Sequence, residues 1–389
     1  MFIHDLDCGW MDHPFLRNQF AVNHVEIIQK LQQYGIREVY IDASRGLDVP
    51  DDLDIHDGRE GVEVEPDGIG QEITVLKTAT LQEEMARART LQKEATQIVH
   101  NIFTDIRLSG QIKVELVEPL VEQMIDSIFR NQDALLPLCR LKDHDDYTFQ
   151  HSVSTCALMI ALARGLDMPR DTIREVATGA LLHDVGKAVI PDEILKKPGQ
   201  LTEDEVVCMQ SHVEQGVTLL QKTPGIGNIA LDIVSQHHER IDGSGYPNKL
   251  KGDEIQLHSQ MGGIVDVYDA ITSDRPYHKG MPPTRALGKM LEWSQHHFKP
   301  ELVRTFIKAI GIYPSGTLVR LISDRLAIVT EQNEEKSLLP VVRVIYNCKW
   351  QHYLEPEEID LAKSRCQDHI VGHESFEDWG IDPSRWCCG

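Results

Sequence analysis

Seven side chains in the middle of the chain have the types that a divalent metal centre needs. They are His151, the adjacent pair His183 and Asp184, His212, the adjacent pair His237 and His238, and Asp266. Imidazole and carboxylate together suit first-row divalent ions such as Fe, Mn, Zn or Ni. A single histidine on an apolar face is more often a satisfied core or surface residue. Five histidines with two aspartates are too many for one four-coordinate site, and they match two ions that share a bridging carboxylate. Two ions about 3.5–4 Å apart stabilise both the entering and the leaving oxygen of an in-line displacement at phosphorus. They also lower the pKa of a bridging water, so that hydroxide is supplied at neutral pH. The ligand inventory therefore predicts metal-assisted hydrolysis of a phosphoester.

Neighbouring residues fit that chemistry. Lys187 stands four residues after His183, one helical turn on, where an ammonium would stabilise or protonate a leaving oxygen; the bland alternative is a surface lysine at a helix end. Arg275 follows Asp266 closely, and a guanidinium there would clamp a phosphate through its planar fork. Asp269 lies three residues after Asp266 on one helical face, as a substrate contact or as a hydrogen-bond partner of a ligand histidine. Directly after the His237–His238 pair, Asp242, Gly243, Ser244, Gly245, Tyr246 and Pro247 form a tight, backbone-exposed loop.

The elements that position these residues are mostly helical. From Val114 to about Ile310 the segments SVSTCALMIALARGL, DTIREVATGALLHDV and EDEVVCMQSHVEQGVTLLQ each carry an apolar stripe, and nearly all the ligand candidates sit near a helix end. Leu81, Met85, Ala88, Leu91, Ala95, Ile98, Ile102 and Ile106 predict a long helix with one apolar face, buried within the chain or paired with a second copy. Residues 1–78 read as a small α+β unit, with a helix over Val22–Tyr34 ended by Gly35, a strand over Val39–Asp42 and an acidic loop over Leu47–Gly70. After Gly311 the β-branched runs TLVRL, LAIVT and PVVRVIY predict a small antiparallel appendage, and the last twenty residues read as polar and peripheral. The partition expected is 1–78, a helical connector 79–135, a catalytic domain 136–312 and a β-rich extension 313–389.

Composition narrows the classes. The 389 residues carry 39 basic and 61 acidic side chains, a net charge of −22, which argues against a partner of long nucleic acid. No run of about 18 apolar residues occurs, so no membrane span is expected. The start MFIHDLDCGW lacks a signal-peptide pattern, and the scattered cysteines suit a reducing compartment, so a cytoplasmic location is expected. Cys366, His369 and His373 with Cys387 or Cys388 have spacing too loose for a zinc knot, and His296–His297 reads as a surface pair.

In order along the chain, DDYTFQHS (145–152), LLHDVGK (181–187), His212, HHERIDGSGYP (237–247) and GGIVDVYDAITSDRPY (262–277) resemble the HD-GYP phosphodiesterases. The resemblance covers roughly residues 140–310. It implies a mainly α, helical HD-superfamily bundle around a dinuclear centre, flanked by the N-terminal α+β domain and the C-terminal β appendage. It implies hydrolysis of a cyclic dinucleotide, cyclic di-GMP or 3′,3′-cyclic GMP-AMP, to the linear dinucleotide through a metal-bridging hydroxide. By motif, His151, His183, Asp184, His212, His237, His238 and Asp266 become metal ligands, with Asp184 bridging and Lys187 assisting the leaving group. Lys187, Asp269, Arg275, His278 and Lys279 become substrate contacts, and Asp242–Pro247 shapes the site mouth and offers a surface to a signalling partner. The implied cofactors are two divalent ions, Fe or Mn first, with Ni or Zn compatible. Tyr147 stands where some relatives carry a glutamate that helps hold a third metal, so two ions are expected. The strings WMDHPFLRNQF (10–20) and GIREVYID (35–42) resemble a domain of unknown function that often precedes HD-GYP domains.

Two other classes compete. A non-catalytic module would sense the nucleotide or display the GYP loop; intact HD and GYP residues argue against it. A different HD-type hydrolase acting on nucleoside triphosphates or linear nucleotides generally lacks HHERIDGSGYP. A homodimer through the long helix is compatible with the pattern.

Overall fold

The computed structural model describes residues 2–6, 20–21, 39–41, 79–140, 142, 146–274, 279–333 and 335–386. The chain divides into two compact units, residues 1–74 and 75–389. In the first, strands β1 (Phe2–Leu6), β2 (Phe20–Ala21) and β3 (Val39–Ile41) form an antiparallel sheet in the order β2-β1-β3. Its register pairs Ile3 with Phe20 on one side and with Ile41 on the other. The strand expected at Val39 is present; the helix expected over Val22–Tyr34 and the acidic loop over Leu47–Gly70 lie outside the described residues.

The second unit opens with the long helix α1 (Leu81–Ser109). Thr80 starts it through a reciprocal cap: its hydroxyl accepts from the Glu83 N–H at 3.3 Å, and its own N–H donates to the Glu83 carboxylate at 2.9 Å. The apolar stripe, with Ala88, Leu91, Ala95, Val99, Ile102 and Ile106 buried, packs on α2 (Val117–Arg140) and α3 (Tyr147–Gly165) of the same chain. Glu84, buried at the same interface, is neutralised by Arg130 and hydrogen-bonded by Ser127 Oγ at 2.8 Å.

Helix α3 is buried on nearly all sides, which is why its sequence carries little amphipathic contrast. It packs against α4 (Arg170–Leu182), and against the later helices α9 (Leu257–Thr272) and α11 (Pro300–Ile310). Between α4 and α9 run α5 (Asp192–Leu195), α6 (Glu203–Gln210), α7 (His212–Gln221) and α8 (Asn228–Gln236). Helix α10 (Pro283–Trp293) separates α9 from α11. The molecule is thus mainly helical, and no helix among the described residues is long and apolar enough to cross a membrane.

The β appendage is a five-stranded antiparallel sheet in the order β7-β6-β5-β4-β8, built from β4 (Leu318–Leu321), β5 (Arg325–Glu331), β6 (Val341–Asn347), β7 (His352–Asp360) and β8 (Ile370–His373). Both faces of its central strands are apolar. Val319, Ala327, Val329, Val342 and Val344 lie in one cluster and Leu318, Leu326, Ile328 and Ile345 in another. Buried Asp133 of α2 accepts from Ser315 Oγ at 2.7 Å and from the Gln332 N–H at 3.1 Å, tying the sheet to the bundle.

The polar tail is not peripheral. Strand β8 pairs with β4, Ile381 is buried in the second cluster, and Phe376, Trp379 and Trp386 pack against it. These apolar residues stand singly in polar surroundings, without a period that would mark an element.

Candidate metal centre

Three of the histidines are set by the same local device. His183 directly follows α4, His237 directly follows α8, and His212 lies just beyond α6. The last carbonyls of a helix have no intrahelical partner. In each case a carbonyl three residues back takes up the ring nitrogen Nδ1: Ala180 O for His183 at 2.7 Å, Met209 O for His212 at 2.7 Å, Val234 O for His237 at 3.0 Å. A carbonyl only accepts, so Nδ1 carries the proton and Nε2 presents its lone pair. His151, in the second turn of α3, reaches the same state differently, with Nδ1 2.5 Å from Asp269 Oδ2.

The lone pairs converge on two carboxylates. Asp184 Oδ2 lies 3.3 Å from His183 Nε2 and 3.7 Å from His151 Nε2, while its Oδ1 lies 3.3 Å from His212 Nε2. Asp266 Oδ1 lies 3.1 Å from His151 Nε2, and its Oδ2 lies 3.7 Å from His238 Nδ1. The candidate ligand atoms fall into two groups, His151–His183–Asp266 and Asp184–His212–His237–His238, each within 4.8 Å. Asp184 thus turns one oxygen toward each group. His183 Nε2, His212 Nε2, His237 Nε2 and Asp184 Oδ1 are buried without a hydrogen-bond partner. Buried polar atoms are rarely left so, and this donor set, mixed imidazole and carboxylate, fits a pair of divalent cations.

The electrostatics agree. Burial depresses the pKa of His212, of His237 and of His238, the last to about 3, so these rings are neutral, the state a metal ligand needs. Burial alone would raise Asp184 and Asp266. Lys187 and His183 outweigh it at Asp184, and His151 and His238 at Asp266, so both carboxyls fall well below the usual range. At His183 burial opposes protonation but Asp184 prevails, raising the pKa; a divalent ion would take the place of that proton.

The fold brings the helices together tightly at the HD turn. A Cβ on Gly186 would run into the His212 carbonyl and the Gly216 nitrogen, so only glycine lets α7 close against residues 185–189. Lys187 sits in this turn with Nζ 2.5 Å from Asp184 Oδ2 and is about a quarter exposed. It therefore reaches the carboxylate that faces both groups, from the open side.

Asp269, expected among the substrate contacts, takes the other role weighed for it. Its carboxylate is 2% exposed and accepts from His151 Nδ1, Ser154 Oγ and Lys142 Nζ, which leaves it no face for a substrate. Lys142, absent from the sequence expectation, is itself 4% exposed, donates to Ser273 Oγ at 2.8 Å, and lies 5.4 Å from the Tyr147 ring centre. Burial would raise Asp269; Lys142 and His151 bring it down to about 2. Arg275 and His278 lie outside the described residues. Lys279 is paired with Glu377 of the C-terminal tail.

The loop after His238 is held from beneath. Buried Glu239 accepts from the N–H groups of Asn248 at 2.7 Å and Leu250 at 3.0 Å. Asp242 accepts from the Ser244 N–H and hydroxyl at 2.9 and 2.6 Å. A Cβ on Gly245 would clash with the backbone of residues 238–240, so the chain folds back here through glycine. Tyr246 stacks on His238 with ring centres 4.6 Å apart. Burial, with Asp266 and Asp184 nearby, raises its pKa and keeps its hydroxyl a donor. Of the remaining candidates, Cys366 Sγ contacts the Asp368 carbonyl, Cys387 and Cys388 lie outside the described residues, and His297 faces Asp242 at 3.7 Å.

Residues 137–302 match the HD domain family, and residues 1–117 match a domain of unknown function, DUF3391. A cyclic di-GMP phosphodiesterase of Pseudomonas aeruginosa is 40% identical over 382 residues, 98% of this chain and 91% of the relative. A 3′3′-cGAMP-specific phosphodiesterase of Vibrio cholerae is 41% identical over 128 residues, 33% of this chain and 24% of that one. A cyclic di-GMP phosphodiesterase of the same organism is 33% identical over 241 residues, covering 56% and 49%. With its HD pair, its GYP loop and a relative matched along nearly the whole length, the chain belongs to the HD-GYP phosphodiesterases.

Proposed function

We propose that the protein hydrolyses a cyclic dinucleotide, cyclic di-GMP first, to the linear dinucleotide. The observation that carries the proposal is the convergence of unpartnered, buried lone pairs of His183 and His212 on the two oxygens of Asp184, with His237 grouped beside Asp184 and His212. His151, His183 and Asp266 would hold one divalent ion, His212, His237 and His238 the other, and Asp184 would bridge them. Fe or Mn suits this histidine-rich set, and Ni or Zn is compatible with it. Bound there, the ions supply Lewis acidity at phosphorus and acidify the attacking water. The protein's own groups do the rest. Carbonyls of the helix ends fix the histidine tautomers, and Asp269 orients His151. Lys187, beside Asp184, delivers a proton to the departing 3′ oxygen. Tyr246, stacked on His238, borders the mouth with its hydroxyl protonated, and the same loop offers the surface for a signalling partner. Cyclic di-GMP takes precedence because the relative matched along nearly the whole chain acts on it.

The test is a chromatographic time course with cyclic di-GMP and 3′,3′-cyclic GMP-AMP, using protein reloaded anaerobically with Fe or Mn. The expected result is metal-dependent cleavage, faster for cyclic di-GMP and abolished by His183→Ala with Asp184→Ala. Cleavage that survives the double substitution would overturn the site. No cleavage by folded, metal-loaded protein would overturn the activity.

A further inference from the structure

One side chain holds the turn that carries His237 and His238 out of α8. Arg240 follows His237, His238 and Glu239 in sequence and is half-buried. Its Nη1 donates to the His237 carbonyl at 3.1 Å and to the Glu239 carbonyl at 2.8 Å. A guanidinium Nη carries two hydrogens, so both bonds form at once. The carbonyl between them, that of His238, accepts from the Tyr246 N–H at 3.3 Å. All three carbonyls of the turn are thus occupied, two of them by Arg240. The His237 carbonyl belongs to the peptide that joins the two candidate ligands, so its orientation bears on how both rings leave the backbone.

The guanidinium is itself fixed. It lies 5.3 Å from the ring centre of Phe298, which is 3% exposed, a cation–π contact. The Ile241 N–H donates to the His297 carbonyl at 3.3 Å, tying the next residue to the same segment. On the side of α9, a Cβ on Gly263 would come within 2.9 Å of the His237 carbonyl and 3.4 Å of Arg240 Nη1. A basic side chain that merely capped a helix end would need one carbonyl and open solvent. Arg240 instead joins two carbonyls of the ligand turn to a buried ring.

We propose that Arg240 is a positioning residue for one of the two ions, the one expected on His212, His237 and His238, and that the ion expected on His151, His183 and Asp266 does not depend on it. This rests on the two-ion reading above. The two candidate groups share no histidine, and His237 and His238 fall in the same one.

The test compares the full chain with Arg240→Met, which keeps the length and loses the donors, and with Arg240→Lys, which keeps a charge. Each is dialysed to equilibrium against chelator-buffered Mn, and bound metal and its paramagnetic resonance spectrum are read together. At a free-metal level where the wild type holds two ions, Arg240→Met should hold one, with the other bound about 10–100-fold more weakly, the effect of losing an outer contact to a ligand. The spectrum should change from that of a coupled pair to that of an isolated ion. Arg240→Lys, whose ammonium still donates to carbonyls, should lie between the two, and it carries the test if Arg240→Met does not fold. Combining the Arg240 substitution with Asp269→Asn, which acts through His151, should remove both ions. Unchanged binding of both ions, loss of both together in the single variants, or one ion still held by the combined variant would each overturn the proposal. A wild type that never holds two ions would overturn the two-ion reading and the proposal with it. Because no readout needs turnover, a wild type that holds two ions but cleaves nothing would sink the activity and leave the role of Arg240 standing.

Discussion

Replacing Asp269 by Asn separates what this carboxylate does for the fold from what it does for the metals. The side chains are nearly isosteric, so the change is one of charge. Lys142, 4% exposed, loses its carboxylate and keeps the Ser273 hydroxyl at 2.8 Å. Removing one partner of a buried ion pair costs about 3–5 kcal/mol, a large share of ordinary domain stability. His151 loses the anion 2.5 Å from its Nδ1. Loss of such an outer contact weakens metal binding about 10–100-fold, or roughly 1.4–2.8 kcal/mol. His151 belongs to the group with His183 and Asp266, and the other group does not include it. The weakening should therefore fall on one ion. At a chelator-buffered metal concentration where the wild type retains two ions, the variant should retain one. Adding Lys142→Met should recover much of the stability, because the buried ammonium that lost this carboxylate is gone, without recovering the affinity. Metal analysis after equilibrium dialysis and denaturant unfolding read the two effects separately. Two ions retained by Asp269→Asn at the same free-metal level, or both lost together, would refute the reasoning.

Lys187→Gln should lower kcat about a hundredfold or more with two ions still bound, measured by single-turnover hydrolysis beside metal analysis; an unchanged rate would remove Lys187 from proton delivery. Gly186→Ala should force α7 away from the HD turn and lower metal content, since the new methyl meets the His212 carbonyl; full metal content with an unchanged melting temperature would show that the close approach is dispensable. Asp368 accepts from Ser323 and Arg325 Nη2; burial would raise its pKa, but these contacts hold it down. Its folded pKa is the lower one, so its contribution is complete above the unfolded value of about 3.9 and is lost as pH falls below it; Asp368→Asn should destabilise at neutral pH and flatten that acid limb, and parallel pH–stability curves would contradict this.

What could be read in advance followed from locality. His183, His212 and His237 are placed by helix ends only three residues away, so helix periodicity and residue type located them together. The stripe of α1 and the β-branched runs of β4, β5 and β6 were legible for the same reason. Lys142 was not. It meets Asp269 across 127 residues of chain, and its own surroundings, LKDHDDY, read as a polar connector. The role of Asp269 stayed open because a three-residue offset from Asp266 does not say which way a carboxylate on the same face turns. Strand β7 was hidden by HYLEPEEID, whose mostly exposed residues carry no apolar alternation; an edge strand on β6 needs none.

The charge balance links these observations to the substrate. A chain of net charge −22 repels a dianionic dinucleotide at long range, so attraction has to be local. In the centre, Asp184 and Asp266 are buried and held ionised by histidines and Lys187. Two divalent ions bound against those two carboxylates would leave that pocket cationic. Asp269 does not reduce this, because Lys142 neutralises it at Oδ2, the same oxygen that faces His151 Nδ1. The ammonium therefore does more than hold a side chain in place. It lets a third carboxylate orient His151 without adding negative charge where a phosphodiester must bind. With ions bound there, the acidic surface would discriminate by geometry: an anion kept from them would meet mainly repulsion.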